Sequence, residues 1–214
     1  MRRLLSIAAL LACQMQGAVV IDRIAVIVGK HAIKLSDIER DLRVTEFLNQ
    51  MPLDLSGAAK RRSADRLIDQ SIIRDEIATG GYNRATDADA GGMLNQIRHE
   101  RYAGSDTRLR QALERYGLSE DDLRAQLLWQ MTVLRFIDER FRPAVFITDQ
   151  DVRAYYDGHL AQLRRENPAS NSYPALQPKI RSLLEGEEVN KQFEMWLDQA
   201  RSGQHIEYKE QAFA

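Results

Sequence analysis

Four signatures of helix initiation, spread along the chain, constrain its fold more than any other feature of the sequence. In each, a Ser or Thr is followed three residues later by an acidic residue, the pattern of a capping box that satisfies backbone N–H groups where a helix begins. The four pairs are Ser36 with Glu39, Thr86 with Asp89, Ser119 with Asp122, and Thr148 with Asp151. Apolar residues recur at helical spacing after each pair. The sequence therefore predicts a mostly helical fold.

The apolar stripes predict which side of each helix is buried. The first stripe consists of Ile38, Leu42 and Leu48, in a helix that ends near Met51. A second helix covers about 58–79 and stops at Gly80, because Gly commonly follows the last helical turn. The stripe after Ser119 consists of Leu123, Leu127, Met131, Leu134 and Ile137. A long last helix covers about 176–201, and its inward side is formed by Ile180, Leu183, Leu184, Phe193, Trp196 and Leu197.

Both ends of the region after residue 18 have the alternating pattern of strands. Residues 19–28 and 31–35 alternate around Gly29, which suits a tight turn because Gly adopts positive φ readily, and together they predict a β-hairpin with Ile24, Val26 and Val28 on one face. Ile206 and Tyr208 alternate after the last helix. A strand needs a partner, so the two ends are expected to meet in one small sheet.

Residues 1–18 have the layout of a secretory signal peptide. Arg2 and Arg3 provide positive charge, and Leu4 to Ala12 is an apolar run too short to span a bilayer. We therefore expect export across the inner membrane to the periplasm. Two processing sites are open: cleavage after Ala18, or lipidation of Cys13, the only cysteine, within a four-residue pattern that looks like a lipobox. Contact with a membrane is expected only if Cys13 is lipidated.

Charge and motifs exclude several classes of function. Removing Arg2 and Arg3 from the 30 basic residues leaves 28 against 31 acidic ones, which argues against an electrostatic nucleic-acid binder. The four histidines are scattered, and no zinc, nucleotide-binding or serine-hydrolase motif is present in the sequence. We expect no enzyme activity, no cofactor and no metal.

Several segments, in the same order, resemble the SurA-like periplasmic chaperones. Residues 21–29 read IDRIAVIVG, followed by Ile33 and by LSDI at 35–38, like the family's first strand, turn and helix. Residues 64–77, the segment ITDQDVRAYY at 147–156 and FEMWLDQARSGQHIEY at 193–208 are similar to later family segments. The resemblance implies a helical SurA-type chaperone core with a small β-hairpin joined by a C-terminal strand.

One departure from the family bears on activity. Most members carry a parvulin-type prolyl isomerase domain where this chain has a short polar stretch, which cannot bury a core of its own. We therefore expect a chaperone region at 19–160, a linker at 161–175 in place of the isomerase domain, and a helix and strand at 176–214 that complete the core. The resemblance then implies a chaperone without isomerase activity.

The resemblance implies that the ligand is an unfolded outer-membrane protein or another extended polypeptide. Unfolded outer-membrane proteins present extended segments with alternating aromatic residues. Methionine and aromatic side chains can adapt to many such sequences, and a strand edge can add backbone hydrogen bonds. The candidate groove residues lie off the main stripes or at their margins, with core packing as the alternative for each: Phe47, Met51, Met93, Tyr102, Trp129 and Met131.

Two functions remain open at this point. The first is a holdase, a chaperone that binds unfolded outer-membrane proteins without ATP. The second is an exported or lipid-anchored protein that binds one specific folded partner, which lipidation of Cys13 would favour. Residual isomerase activity is a weaker third alternative, because the domain that would carry it is missing from the sequence.

Overall fold

The computed structural model describes residues 22–166 and 172–213, and it confirms a mostly helical fold with a small β-sheet. The signal peptide predicted at 1–18, with Cys13 and both proposed processing sites, lies outside the described residues. The helices are α1 Leu35–Asn49, α2 Gly57–Gly80, α3 Asp87–Tyr102, α4 Asp106–Glu114, α5 Glu120–Phe141, α6 Asp149–Gly158, α7 Leu160–Glu166 and α8 Tyr173–Ser202. The strands are β1 Ile24–Val28, β2 His31–Lys34 and β3 Ile206–Tyr208.

The three strands form one antiparallel sheet in the order β2-β1-β3. Gly29 has a φ of 54° in the two-residue turn between β1 and β2, as the tight turn requires. Val28 pairs with His31 on one side and with Ile206 on the other. The prediction that the two ends of the folded region meet in one sheet is therefore confirmed.

The predicted alternation along β1 is wrong at its start. Ile24 is 47% exposed, whereas Ala25 and Val26 are both buried. The pairing of β1 with β2 is irregular between Ile24 and Val26. Such a bulge interrupts the two-residue period, so Ile24 does not share the inward face of Val26 and Val28.

Three of the four predicted capping boxes are confirmed, at Thr86, Ser119 and Thr148. The fourth is wrong, because α1 begins at Leu35, two residues earlier than a cap at Ser36 would allow. The backbone N–H of Lys34 donates to the Asp37 carboxylate at 3.1 Å, and the Ser36 hydroxyl donates to Asp22 instead. Asp37 is therefore the acidic residue of the capping box at the start of α1, the role that was expected for Glu39.

The predicted stripe of α5 is correct in its first half only. Leu123 and Leu127 are buried, but Leu134 is 66% exposed, and the buried positions continue through Thr132 and Phe136. The buried positions are four residues apart up to residue 127, but the next one is residue 132. The buried side of the helix therefore does not include Met131 and Leu134. Leu183 on α8 is likewise exposed rather than inward.

Helical structure reaches into both ends of the segment expected to be a linker at 161–175. Helix α7 continues to Glu166, and α8 begins at Tyr173; residues 167–171 lie outside the described part. The domain boundaries proposed from the sequence remain predictions.

Four apolar clusters form the interior of the described part. The first joins the sheet to α1 and α2, with Val26, Ile38 and Ile68 at its centre, and also contains Phe213. The second joins α1 to α3, α4 and α5. The third joins α2, α5 and α8 through Ile77, Phe136 and Val189, and the fourth joins α6, α7 and the first half of α8. Helices α2 and α5 thus share a cluster near Ile77 and Phe136, and a groove opens between them toward the sheet.

Candidate binding groove

Two adjoining cavities form the groove between α2 and α5, which we call the α2–α5 groove. The first has a volume of about 530 Å³ and is bordered by β2, α1, α2 and α5. The second has a volume of about 440 Å³ and lies farther along the same helices. Both cavities are lined by Arg74, Asp75, Ala125 and Trp129, so they are neighbours. Volumes of this size are typical of ligand sites.

Trp129 and Arg74 meet at the boundary between the two cavities. The guanidinium carbon of Arg74 lies 4.4 Å from the centre of the Trp129 ring, a cation–π contact that joins α2 to α5. Arg74 also donates to the side chain of Gln70 at 3.2 Å. The indole ring is half-buried, so it offers apolar surface to both cavities.

The first cavity is lined mainly by polar side chains. His31 Nε2 lies 3.0 Å from both carboxylate oxygens of Asp75, which joins β2 to α2. Asp41 is buried and accepts hydrogen bonds from Ser63 and Arg66. Hydrogen bonds from Ser119 hold the pKa of Asp122 below its usual value, with help from the charge of Arg40, while burial opposes them. These carboxylates are therefore anchored on three helices.

Strand β2 borders the first cavity with a free edge. Lys209 donates its N–H to Ala25, and Gly29 donates its N–H to His205, so the odd-numbered residues of β1 direct their backbone groups toward β3. Val26 and Val28 therefore direct their backbone groups toward β2, where they pair with Ile33 and His31 respectively. In an antiparallel pair the bonding alternates, so the N–H and C=O of Ala32 point away from the sheet. Ala32 is exposed and lines the cavity.

Of the six residues expected to line a groove, only Trp129 lines the α2–α5 groove. Phe47 is 3% exposed and belongs to the second cluster, so it is a core residue. Its ring stacks on Tyr102, with 6.5 Å between ring centres, and Tyr102 packs on the same cluster. The reason is that α3 and α4 cover the side of α1 that carries Phe47.

The three methionines in that set lie outside the groove. Met51 and Met93 are 57% and 37% exposed, the first in the segment after α1 and the second on α3. Met131 is half-buried on α5 and lines neither cavity. The structure therefore does not bring the six residues together.

Reasoning from the sequence missed Arg74, Asp75 and His31 as groove residues. Arg74 lies 55 positions before Trp129, and His31 lies 44 positions before Asp75. Charged residues on a helix are usually solvated, and no local pattern distinguishes those that face a groove. The sequence predicted that the third strand would join the hairpin, but the order β2-β1-β3, which leaves β2 at an edge, is known only from the structure.

A larger cavity of about 850 Å³ lies between α5 and α8, beside the exposed Leu134. Its lining contains no aromatic side chain and no strand edge. The α2–α5 groove is therefore the better candidate for a binding site.

Residues 22–166 and 172–213 contain no group of three or more His, Cys, Asp and Glu side chains arranged to hold a metal ion. Over the same residues, no helix has both the length and the apolar character needed to cross a membrane. The chain matches no protein-family model, and no curated protein is significantly similar to it.

Proposed function

We propose that this protein is an ATP-independent periplasmic chaperone that binds unfolded outer-membrane proteins in the α2–α5 groove and has no prolyl isomerase activity. The observation that carries the proposal is the combination of a free strand edge at Ala32 with a half-buried indole ring at Trp129 in one groove. An extended chain can hydrogen-bond to such an edge while its apolar side chains pack on the ring. The ordered resemblance to SurA-like chaperones points to the same class of ligand.

The segment between α7 and α8 supports the absence of isomerase activity. Residues 167–172 alone separate the two helices. A stretch of this length cannot form a core of its own, and therefore cannot form an isomerase domain. The fourth cluster contains Leu163 of α7 and Ile180 of α8, together with Val152 of α6.

Binding to an unfolded client tests the proposal directly. A fluorescent outer-membrane β-barrel protein is diluted from urea into the purified chaperone, with the folded β-barrel as control. We expect binding at about micromolar concentration to the unfolded form only, suppressed aggregation, and no acceleration of a proline-limited refolding reaction. If the protein binds no unfolded chain and instead captures one folded partner, the alternative of a specific interaction protein replaces the proposal.

The role of the groove is tested with Trp129→Ala. Loss of the indole ring removes the largest apolar surface that both cavities share, and we expect the affinity for unfolded client to fall about tenfold, as for a residue at the centre of an interface. Leu134→Ala is the matched control, because it lies on the same helix, is exposed and lines the other cavity. Trp129→Phe, which keeps an aromatic ring, should retain most of the affinity.

Stability has to be measured beside affinity, because Trp129 also packs on the third cluster. Chemical denaturation of each variant shows how much of the change is loss of folding. If Trp129→Ala lowers the free energy of unfolding and leaves client affinity unchanged, then Trp129 is a core residue only and the groove is not the binding site.

A further inference from the structure

The two cavities of the α2–α5 groove differ in charge. The lining of the first carries five aspartates and two arginines: Asp37, Asp41, Asp75, Asp121, Asp122, Arg40 and Arg74. The lining of the second carries Arg74 and Arg84 with the single carboxylate of Asp75, and its remaining residues are apolar apart from Thr132. The groove therefore runs from an acidic end beside β2 to a basic end beside Arg84.

Ion pairs neutralise part of the charge at the acidic end, but the two ends of the groove still differ in charge. Asp41 pairs with Arg66, which lies outside the lining, and Asp122 lies 3.5 Å from Arg40. Asp121 at the acidic end is exposed and has no hydrogen bond or ion pair with another described residue. At the basic end, the carbonyl oxygen of Arg84 accepts a hydrogen bond from Arg135 at 3.0 Å, whereas its guanidinium has no such contact within the described part. One charge of each sign is thus available at opposite ends.

We propose that the groove holds an extended polypeptide segment in one orientation. A basic residue of the segment lies in the 530 Å³ cavity near Asp121, an apolar residue packs on Trp129, and an acidic residue lies near Arg84. This inference rests on the proposed function and adds the chemistry of the bound segment. Complementary charge contributes more to specificity than to raw affinity, so the preference concerns which segment binds and which way round.

The orientation is measured with a quencher on the peptide and a fluorophore on the protein. The full chain with Cys13→Ser has no other cysteine, so a fluorophore can be placed on Ala32→Cys or on Ala78→Cys. Both alanines are exposed, and they line the first and the second cavity respectively. The probe is a short peptide with two lysines at one end, phenylalanine in the middle and two glutamates at the other end.

With the quencher at the lysine end, we expect quenching at residue 32 to exceed quenching at residue 78 by about threefold or more. Moving the quencher to the glutamate end should reverse this ratio. The double variant Asp121→Lys with Arg84→Glu exchanges the charges at the two ends and should also reverse it. The matched double variant Asp121→Asn with Arg84→Gln should reduce the ratio toward one.

Two negative outcomes can be told apart by the anisotropy of a labelled peptide. If the peptide binds but quenches both positions equally, or if the charge exchange has no effect, the orientation is overturned and the holdase proposal stands. If neither the peptide nor an unfolded outer-membrane protein binds, both proposals fail.

Discussion

Gly57 lies where the first turn of α2 meets the last residues of the described chain. A Cβ at this position would collide with the carbonyl oxygen of Phe213, which is buried in the first cluster. The guanidinium of Arg61, one turn further on, lies over the rings of Tyr208 and Phe213. Because Gly57 has no Cβ, the residues after β3 can pack against the start of α2.

Gly57→Ala should destabilise the protein although Ala is the better helix former. We expect the free energy of unfolding to fall by about 1–3 kcal/mol, because the backbone at Phe213 has to move. Gly92→Ala is the matched control: Gly92 lies in the interior of α3 with open space around it, and the same substitution should add about 1 kcal/mol. Urea denaturation measures both, and equal effects in the two variants would contradict the account of Gly57.

At the scale of elements, the capping boxes make helix ends sensitive to acid. Hydrogen bonds from Thr86, Ser119 and Thr148 hold the pKa values of Asp89, Asp122 and Asp151 below the ordinary value of 3.8. A carboxylate whose pKa is lower in the folded state stabilises the fold above its unfolded pKa, and this contribution is lost as the pH falls through the folded pKa.

We therefore expect the free energy of unfolding to decrease below about pH 4, with part of the decrease due to these three carboxylates. The triple variant Asp89→Asn, Asp122→Asn and Asp151→Asn should be less stable at pH 6 and should lose less stability between pH 6 and pH 3. Thermal denaturation at the two pH values compares the variant with the parent protein. Parallel losses in both proteins would show that other groups cause the acid sensitivity.

A second prediction at the scale of elements concerns the free edge of β2. Proline lacks an N–H, and it is tolerated on an edge strand where that N–H faces outward. Ala32→Pro should leave the pairing with β1 intact and weaken client binding, because the outward N–H at this position is lost. Ala32→Val keeps the N–H and is the control. Competitive binding against a labelled unfolded β-barrel separates the two, and equal affinities would exclude strand addition at β2.

The sequence predicted most elements because their signals are local. Thr86 and Asp89 are three residues apart, and Gly29 lies inside the turn that it permits. The errors arose where distant residues decide the outcome. Ser36 does not cap α1, because its hydroxyl bonds to Asp22 instead. Leu134 is exposed, because the side of α5 that packs in the third cluster is the side that carries Phe136. The residues of the α2–α5 groove were missed for the same reason, since Arg74 and Trp129 meet only in the folded chain.

At the scale of the whole molecule, one network connects the sheet to the two longest helices. Arg201 on α8 donates to Asp65 and Asp69 on α2, and the hydroxyl of Tyr208 on β3 donates to Asp65. Burial, the hydrogen bond to Asp65 and the charge of Asp65 raise the pKa of Tyr208 to about 12. These contacts join residues more than 130 positions apart, so they hold the C-terminal part on the rest of the fold.

Arg201→Ala should lower the free energy of unfolding by about 1–3 kcal/mol, because two neighbouring carboxylates lose their partner in a half-buried site. Lys191→Ala is the control on the same helix, since its pair with Glu188 is solvent-exposed and contributes about 0.5 kcal/mol or less. Guanidinium chloride adds salt that screens ion pairs, so the comparison should be made in urea. Similar losses in the two variants would contradict a special role for this network.

The position of β1 in the middle of the sheet has a consequence for the order of folding. Val28 bonds to β2 within a few residues, but its other partner, Ile206, lies 178 positions later in the sequence. A chain that emerges from a ribosome or a translocation channel with its N-terminus first must therefore hold one side of β1 unpaired until residue 206 has appeared. Contacts of such wide sequence separation form slowly. Until then the nascent protein presents an open strand edge, which is a template for pairing with another chain.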